Sequence, residues 1–175
     1  LSDGFVAAIS PGSAARVANA FYEDDEAVVW ACADVLREEY KRITDAGLTV
    51  QIDAPDIAEG WDQMNPEPSV ADYRAFCRVR IDALNHALRG IDPSLVRFHV
   101  CWGSWHGPHT TDIPFKDIVD LALAVDANGL SFEAANARHA HEWTIWRDIK
   151  LPEGKYLIPG VVSHSTNVVE HPELV

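Results

Sequence analysis

Arg97–Phe98–His99–Val100–Cys101–Trp102–Gly103 and, further along, Leu130–Ser131–Phe132–Glu133 are two short apolar stretches, each with polar residues towards its C-terminal end. Both read as buried β-strands. Successive side chains of a strand point to opposite faces, so His99 and Cys101 fall on one face. An imidazole and a thiolate side by side, with a carboxylate at the end of another strand, supply most of a zinc site. A buried thiol beside a hydrogen-bonded histidine has the same spacing, and spacing alone leaves both readings open. Glu133 adds weight to the metal. A carboxylate closing an apolar strand is costly to bury without a cation or a partner, although a helix cap or a salt bridge would also serve.

Three further strands flank this pair. Phe5–Ser10 is apolar and runs into a Pro11–Gly12 turn. Leu48–Asp53 follows Gly47 and is closed by Pro55, and Tyr156–Val162 comes last, with a break at Pro159–Gly160. Helical patterns separate them. Asp24–Asp25–Glu26 places negative charge at a helix start, and Val28, Cys32, Val35, Leu36, Tyr40 and Ile43 then recur at helical spacing. Ser69–Val70–Ala71–Asp72 fits a capping box ahead of the stripe Tyr73, Phe76, Cys77, Ile81, Leu84 and Leu88. Pro114 suits a first helical turn, with Phe115, Ile118, Val119, Ala122 and Val125 behind it, and Ala140–Trp146 reads as a short helix.

Strand and helix alternate five times, the pattern of a parallel sheet covered by helices. An open doubly wound sheet and a (β/α)8 TIM barrel both satisfy it. Asp53, His99, Cys101, Glu133 and His164 all fall at or just after strand ends, and a barrel gathers several such ends around one point. No glycine-rich phosphate loop follows the first strand. The expectation is therefore α/β: a TIM barrel, incomplete at about five βα units, because eight units need about 250 residues. Residues 1–175 read as one domain. The chain stops within His171–Val175, which looks like a helix just starting, so a piece of a longer protein is expected.

Composition narrows the partners. A net charge of −13 over 175 residues repels phosphate backbones, so nucleic acid is not expected as a partner. No apolar run approaches the roughly 20 residues that span a bilayer, and no basic, apolar leader opens the chain. Three cysteines, an odd and sparse number, point to a reducing compartment, the cytoplasm. Cys32 and Cys77, on helix faces, read as core thiols.

Other residues carry weaker signals. Asp53, ending its strand, is placed to grip an ammonium or a hydroxyl, or to cap a helix or pair with an arginine. His164 suits a general acid or base, or an ordinary surface position. His106, His109, His139 and His141 lie near Trp102, Trp105, Trp143 and Trp146, and packed or substrate-facing roles suit them better than metal binding. Asn136 and Arg138 read as a solvated loop before any anion-binding role.

Taken in order, Gln51–Ile52–Asp53–Ala54–Pro55, His99–Val100–Cys101, Leu130–Ser131–Phe132–Glu133 and Pro159–Gly160–Val161 with His164–Ser165 resemble the catalytic barrel of cobalamin-independent methionine synthase and its relatives, which include epoxyalkane:coenzyme M transferases. The resemblance spans nearly the whole chain. It implies that the five strands are the third to seventh of the barrel, with the first two and the last absent. It implies zinc held by His99, Cys101 and Glu133, with a fourth ligand in an Asp-Cys-Gly motif expected beyond Val175. Asp53 matches the aspartate that holds the homocysteine amino group, although Asp53–Ala54–Pro55 departs from the usual Asp-Glu-Pro. His164 falls near the family's proton donor.

The chemistry so implied is thiol activation: zinc lowers the pKa of an acceptor thiol, whose thiolate attacks an electrophilic carbon. Methyl transfer to homocysteine, giving methionine, is the first expectation, since Asp53 offers an acid for its amine. An alkyl transfer to another thiol such as coenzyme M is the second, and a degenerate, non-catalytic barrel the third. The methyl or alkyl donor stays open, as does homo-oligomerisation.

Overall fold

Five parallel strands, β1 (Phe5–Ile9), β2 (Thr49–Asp53), β3 (Val96–Val100), β4 (Gly129–Glu133) and β5 (Tyr156–Gly160), form one sheet in the computed structural model. Their spatial order is β1-β2-β3-β4-β5, the order of the chain. The structure describes residues 4–105, 107–163 and 167–175. Each strand sits beside its sequence neighbour, without the reversal that marks a doubly wound sheet. This mixed α/β arrangement is compatible with part of an α/β barrel.

The two faces of the sheet differ sharply. Val50 and Ile52, Val96, Phe98 and Val100, and Leu130 and Phe132 are buried on one face. They share a core with Val29, Ala33 and Tyr40 of α2 (Asp25–Asp45) and with Cys77, Ile81, Leu84 and Leu88 of α3 (Val70–Leu88). Intervening residues on the other face, among them Gln51, Asp53, His99, Ser131 and Glu133, border an open cleft. Strand periodicity thus separates packing from chemistry.

Both long helices start where expected. The Asp24 carboxylate accepts from Ala27 N, and the Ser69 hydroxyl accepts from Asp72 N, each satisfying an otherwise unpaired first-turn donor. Gly47, just past the end of α2, adopts φ 79°, a conformation that favours glycine.

Several expectations need correction. Pro11–Gly12 is not a turn but the start of a short helix, α1 (Pro11–Ala14), capped by Ser10. Val35 is 73% exposed and leaves the α2 stripe. The helix expected from Pro114 to Val125 splits into a 3-10 turn, Phe115–Asp117, and α4 (Val119–Leu123), because Ile118 leaves helical geometry at φ −130°. Ala140–Arg147 is 3-10 helix. Pro159–Gly160 does not break β5; both residues pair with β4, which an edge strand permits. His171–Val175 forms a turn rather than a helical start.

Candidate metal centre

Register aligns the strand ends. Asp53 pairs with His99, His99 with Ser131, and Glu133 with Gly160. Asp53, His99 and Ser131 therefore form one row, with Cys101 and Glu133 a step beyond it. Side-chain ligand atoms of Asp53, His99 and Cys101 lie within 4.8 Å of one another. They line a cleft of about 530 Å³ together with Glu59, Glu133 and Asn136.

Each group in the row has a local cause for its placement. His99 Nδ1 lies 3.0 Å from Ser131 Oγ, so the neighbouring strand orients the imidazole. Cys101 follows the last residue of β3, and Gly103 turns the chain back at φ 78°. Burial pushes the Cys101 thiol up to about 12; the Asp53, Glu133 and Glu59 carboxylates push it the same way, and the Gly103 backbone N–H pulls against them. In the absence of a cation Cys101 is a neutral thiol.

Asp53 Oδ1 and Glu133 Oε1 are buried without a hydrogen-bond partner among the described residues. Leaving a buried acceptor unpaired costs about 1–3 kcal/mol, more for a charged group. A cation in the cleft would satisfy both. Thiol, imidazole and carboxylate are the donor types that zinc takes, so the residues present fit that metal.

Glu133 stands slightly apart from the converging trio. Its Oε2 accepts from Asn136 Nδ2 and, at 3.5 Å, from Arg138. Asn136 and Arg138 thus do not form the solvated loop expected of them: Asn136 is buried, and both hold Glu133. His164 and His106 lie outside the described residues. His109 and His139 meet instead around Asp112, at 2.8 and 3.1 Å, and His141 is exposed. Cys77 is buried in the core and Cys32 half-buried.

Three participants escaped the sequence reading. Ser131 shares the alternation of Glu133, so the signal was there. Glu59 reaches the cleft because a 3-10 turn, Glu59–Gln63, follows β2, and Arg16 pairs with it at 2.8 Å. Asp56 left no trace in sequence, since a carboxylate after proline reads as exposed. It is buried, accepts from Ser10 Oγ at 2.7 Å and Ser13 Oγ at 2.5 Å, and faces Arg80 Nε at 3.8 Å, tying α1 to the end of β2. No helix among the described residues is long and apolar enough to cross a membrane. No protein-family model matches the chain, and no curated protein matches it.

Proposed function

We propose that this chain contributes five βα units of a (β/α)8 barrel and acts as a zinc-dependent methyltransferase, with homocysteine as acceptor and methionine as product. The observation that carries this is the convergence of His99, Cys101 and Asp53 within 4.8 Å at the strand ends, beside the unpartnered Glu133 Oε1. Sequential strand order and a one-sided helical cover support the barrel. Three free thiols suit a cytoplasmic setting.

His99, Cys101 and Glu133 would hold zinc, with the His99 ring oriented by the contact of its Nδ1 with Ser131 Oγ. Zinc supplies Lewis acidity, which lowers the pKa of an acceptor thiol so that it is nucleophilic at neutral pH. Asp53 receives the substrate ammonium and so fixes the acceptor sulfur relative to His99 and Cys101. Gly103 and Ser104 form part of the cleft wall. With Asp53, Glu59 and Glu133 the lining is acidic, which favours an amine-bearing thiol over a sulfonate-bearing one such as coenzyme M.

A second assignment has its own support. Asp53, rather than Glu133, completes the 4.8 Å group, and as a ligand it would leave the ammonium to Glu59. Elemental analysis of the wild type and of His99→Ala, Cys101→Ala, Glu133→Ala and Asp53→Ala separates the two. Loss of zinc in the first three, with zinc kept in Asp53→Ala, supports the proposal. Zinc kept in Glu133→Ala and lost in Asp53→Ala exchanges the two carboxylates. A wild type without zinc, or zinc untouched by His99→Ala and Cys101→Ala, ends the reading. Calorimetry with homocysteine and coenzyme M identifies the acceptor.

A further inference from the structure

Beside the cleft lies a chain of polar contacts that no step above uses. His139 is 4% exposed, with Nδ1 2.8 Å from Glu142 Oε1 and Nε2 3.1 Å from Asp112 Oδ2. Asp112 Oδ1 meets His109 Nδ1 at 2.8 Å, and His109 Nε2 reaches Trp105 O at 2.9 Å. Glu142 Oε2 accepts from Phe115 N at 2.6 Å. The His139 ring is therefore held at both nitrogens by carboxylates that are themselves anchored.

His139 reaches both sides of the candidate metal centre, with its ring on one side and its main-chain N–H on the other. The ring lies flat on Trp102, with centroids 3.6 Å apart and planes 17° apart. Trp102 directly follows Cys101 and is fixed further by its Nε1 bond to Ile113 O at 2.9 Å and by the edge of Phe115. At the other end, His139 N donates to Asn136 Oδ1 at 2.8 Å, and Asn136 Nδ2 donates to Glu133. One residue thus touches both the neighbour of Cys101 and the holder of Glu133.

We propose that His139 is a positioning residue that sets the separation of Cys101 from Glu133 and thereby the metal affinity of the cleft; this rests on the zinc reading above. Residues that orient metal ligands from outside the coordination sphere typically cost about 10- to 100-fold in affinity when changed. Two variants divide the device. His139→Phe keeps a flat ring against Trp102 and loses both carboxylate contacts, whereas His139→Gln keeps polar reach and loses the stack.

The test is a cobalt(II) titration of the protein, read by the thiolate-to-cobalt charge-transfer band, with metal-free thermal unfolding run in parallel. Cobalt affinity at least about tenfold weaker in both variants, with an altered band and a folded apo-protein, is the expected result. Wild-type affinity and an unchanged band in the folded variants overturn the proposal. Should either variant fail to fold, Asp112→Asn preserves shape while weakening the grip on both imidazoles, and the same affinity criterion applies to it. A wild type that binds no cobalt refutes the metal centre itself, a result visible before any substitution and distinct from failure of the positioning role.

Discussion

On the zinc reading proposed above, metal binding at this cleft would release a proton from Cys101. Burial and three carboxylates hold that thiol at about 12, so between pH 7 and 8 the metal-free protein carries it protonated. A cation takes the thiolate, and each ion bound must displace that proton. The sign follows: affinity rises with pH until the thiol's own pKa is reached. The size is one proton's worth, tenfold per pH unit or about 1.4 kcal/mol. Any further ligand that loses a proton adds its own slope, so the informative quantity is a difference. Cys101→Ser removes the titrating thiol and keeps nearly the same volume. Zinc affinity should be measured by competition with a chromophoric chelator at pH 7 and pH 8, in wild type and variant. Log affinity should rise with pH by one unit more in wild type than in Cys101→Ser. Equal slopes would mean that Cys101 releases no proton on binding, and the coordination assigned to it would be wrong.

Three other perturbations follow from the packing. In Gly103→Ala the new methyl group would overlap the Glu59 carboxylate at a residue with φ 78°, costing about 1 kcal/mol or more in stability; an unaltered urea midpoint and unaltered zinc affinity together would contradict this. Asp56→Ala leaves the Arg80 guanidinium, 13% exposed, facing an empty space and two serine hydroxyls without their acceptor. A loss of about 3 kcal/mol or more is expected, and a loss below about 1 kcal/mol in denaturant unfolding would show that the pair contributes little. Ser69→Ala removes the cap on Asp72 N and should lower stability by about 1 kcal/mol, checked by the same unfolding curve, where no change would mean that water caps α3 equally well.

Much of this architecture is written in local pattern. Alternation along Val96–Val100 and Gly129–Glu133 placed apolar residues on one face and His99, Ser131 and Glu133 on the other, a property of strand geometry that needs no tertiary information. Capping by Asp24 and Ser69 is equally local, since a side chain reaches only the first turn of its own helix. Shorter elements were less legible. Pro11–Ala14 is a helix capped locally by Ser10, but its anchoring by buried Asp56, which receives the hydroxyls of Ser10 and Ser13, joins residues distant in sequence.

By itself, then, the sequence determined the five strands, the two long helices and the residue types gathered at the strand ends. The tertiary structure decided which of those residues meet. It levelled Asp53 with His99 through the β2–β3 register, and it gave Glu133 partners in Asn136 and Arg138. It also joined Asp112, His139 and Glu142 into one support behind Trp102. The physical reason is range: alternation and capping act within a few residues, whereas distances between strand ends depend on register and on how loops fold back over them.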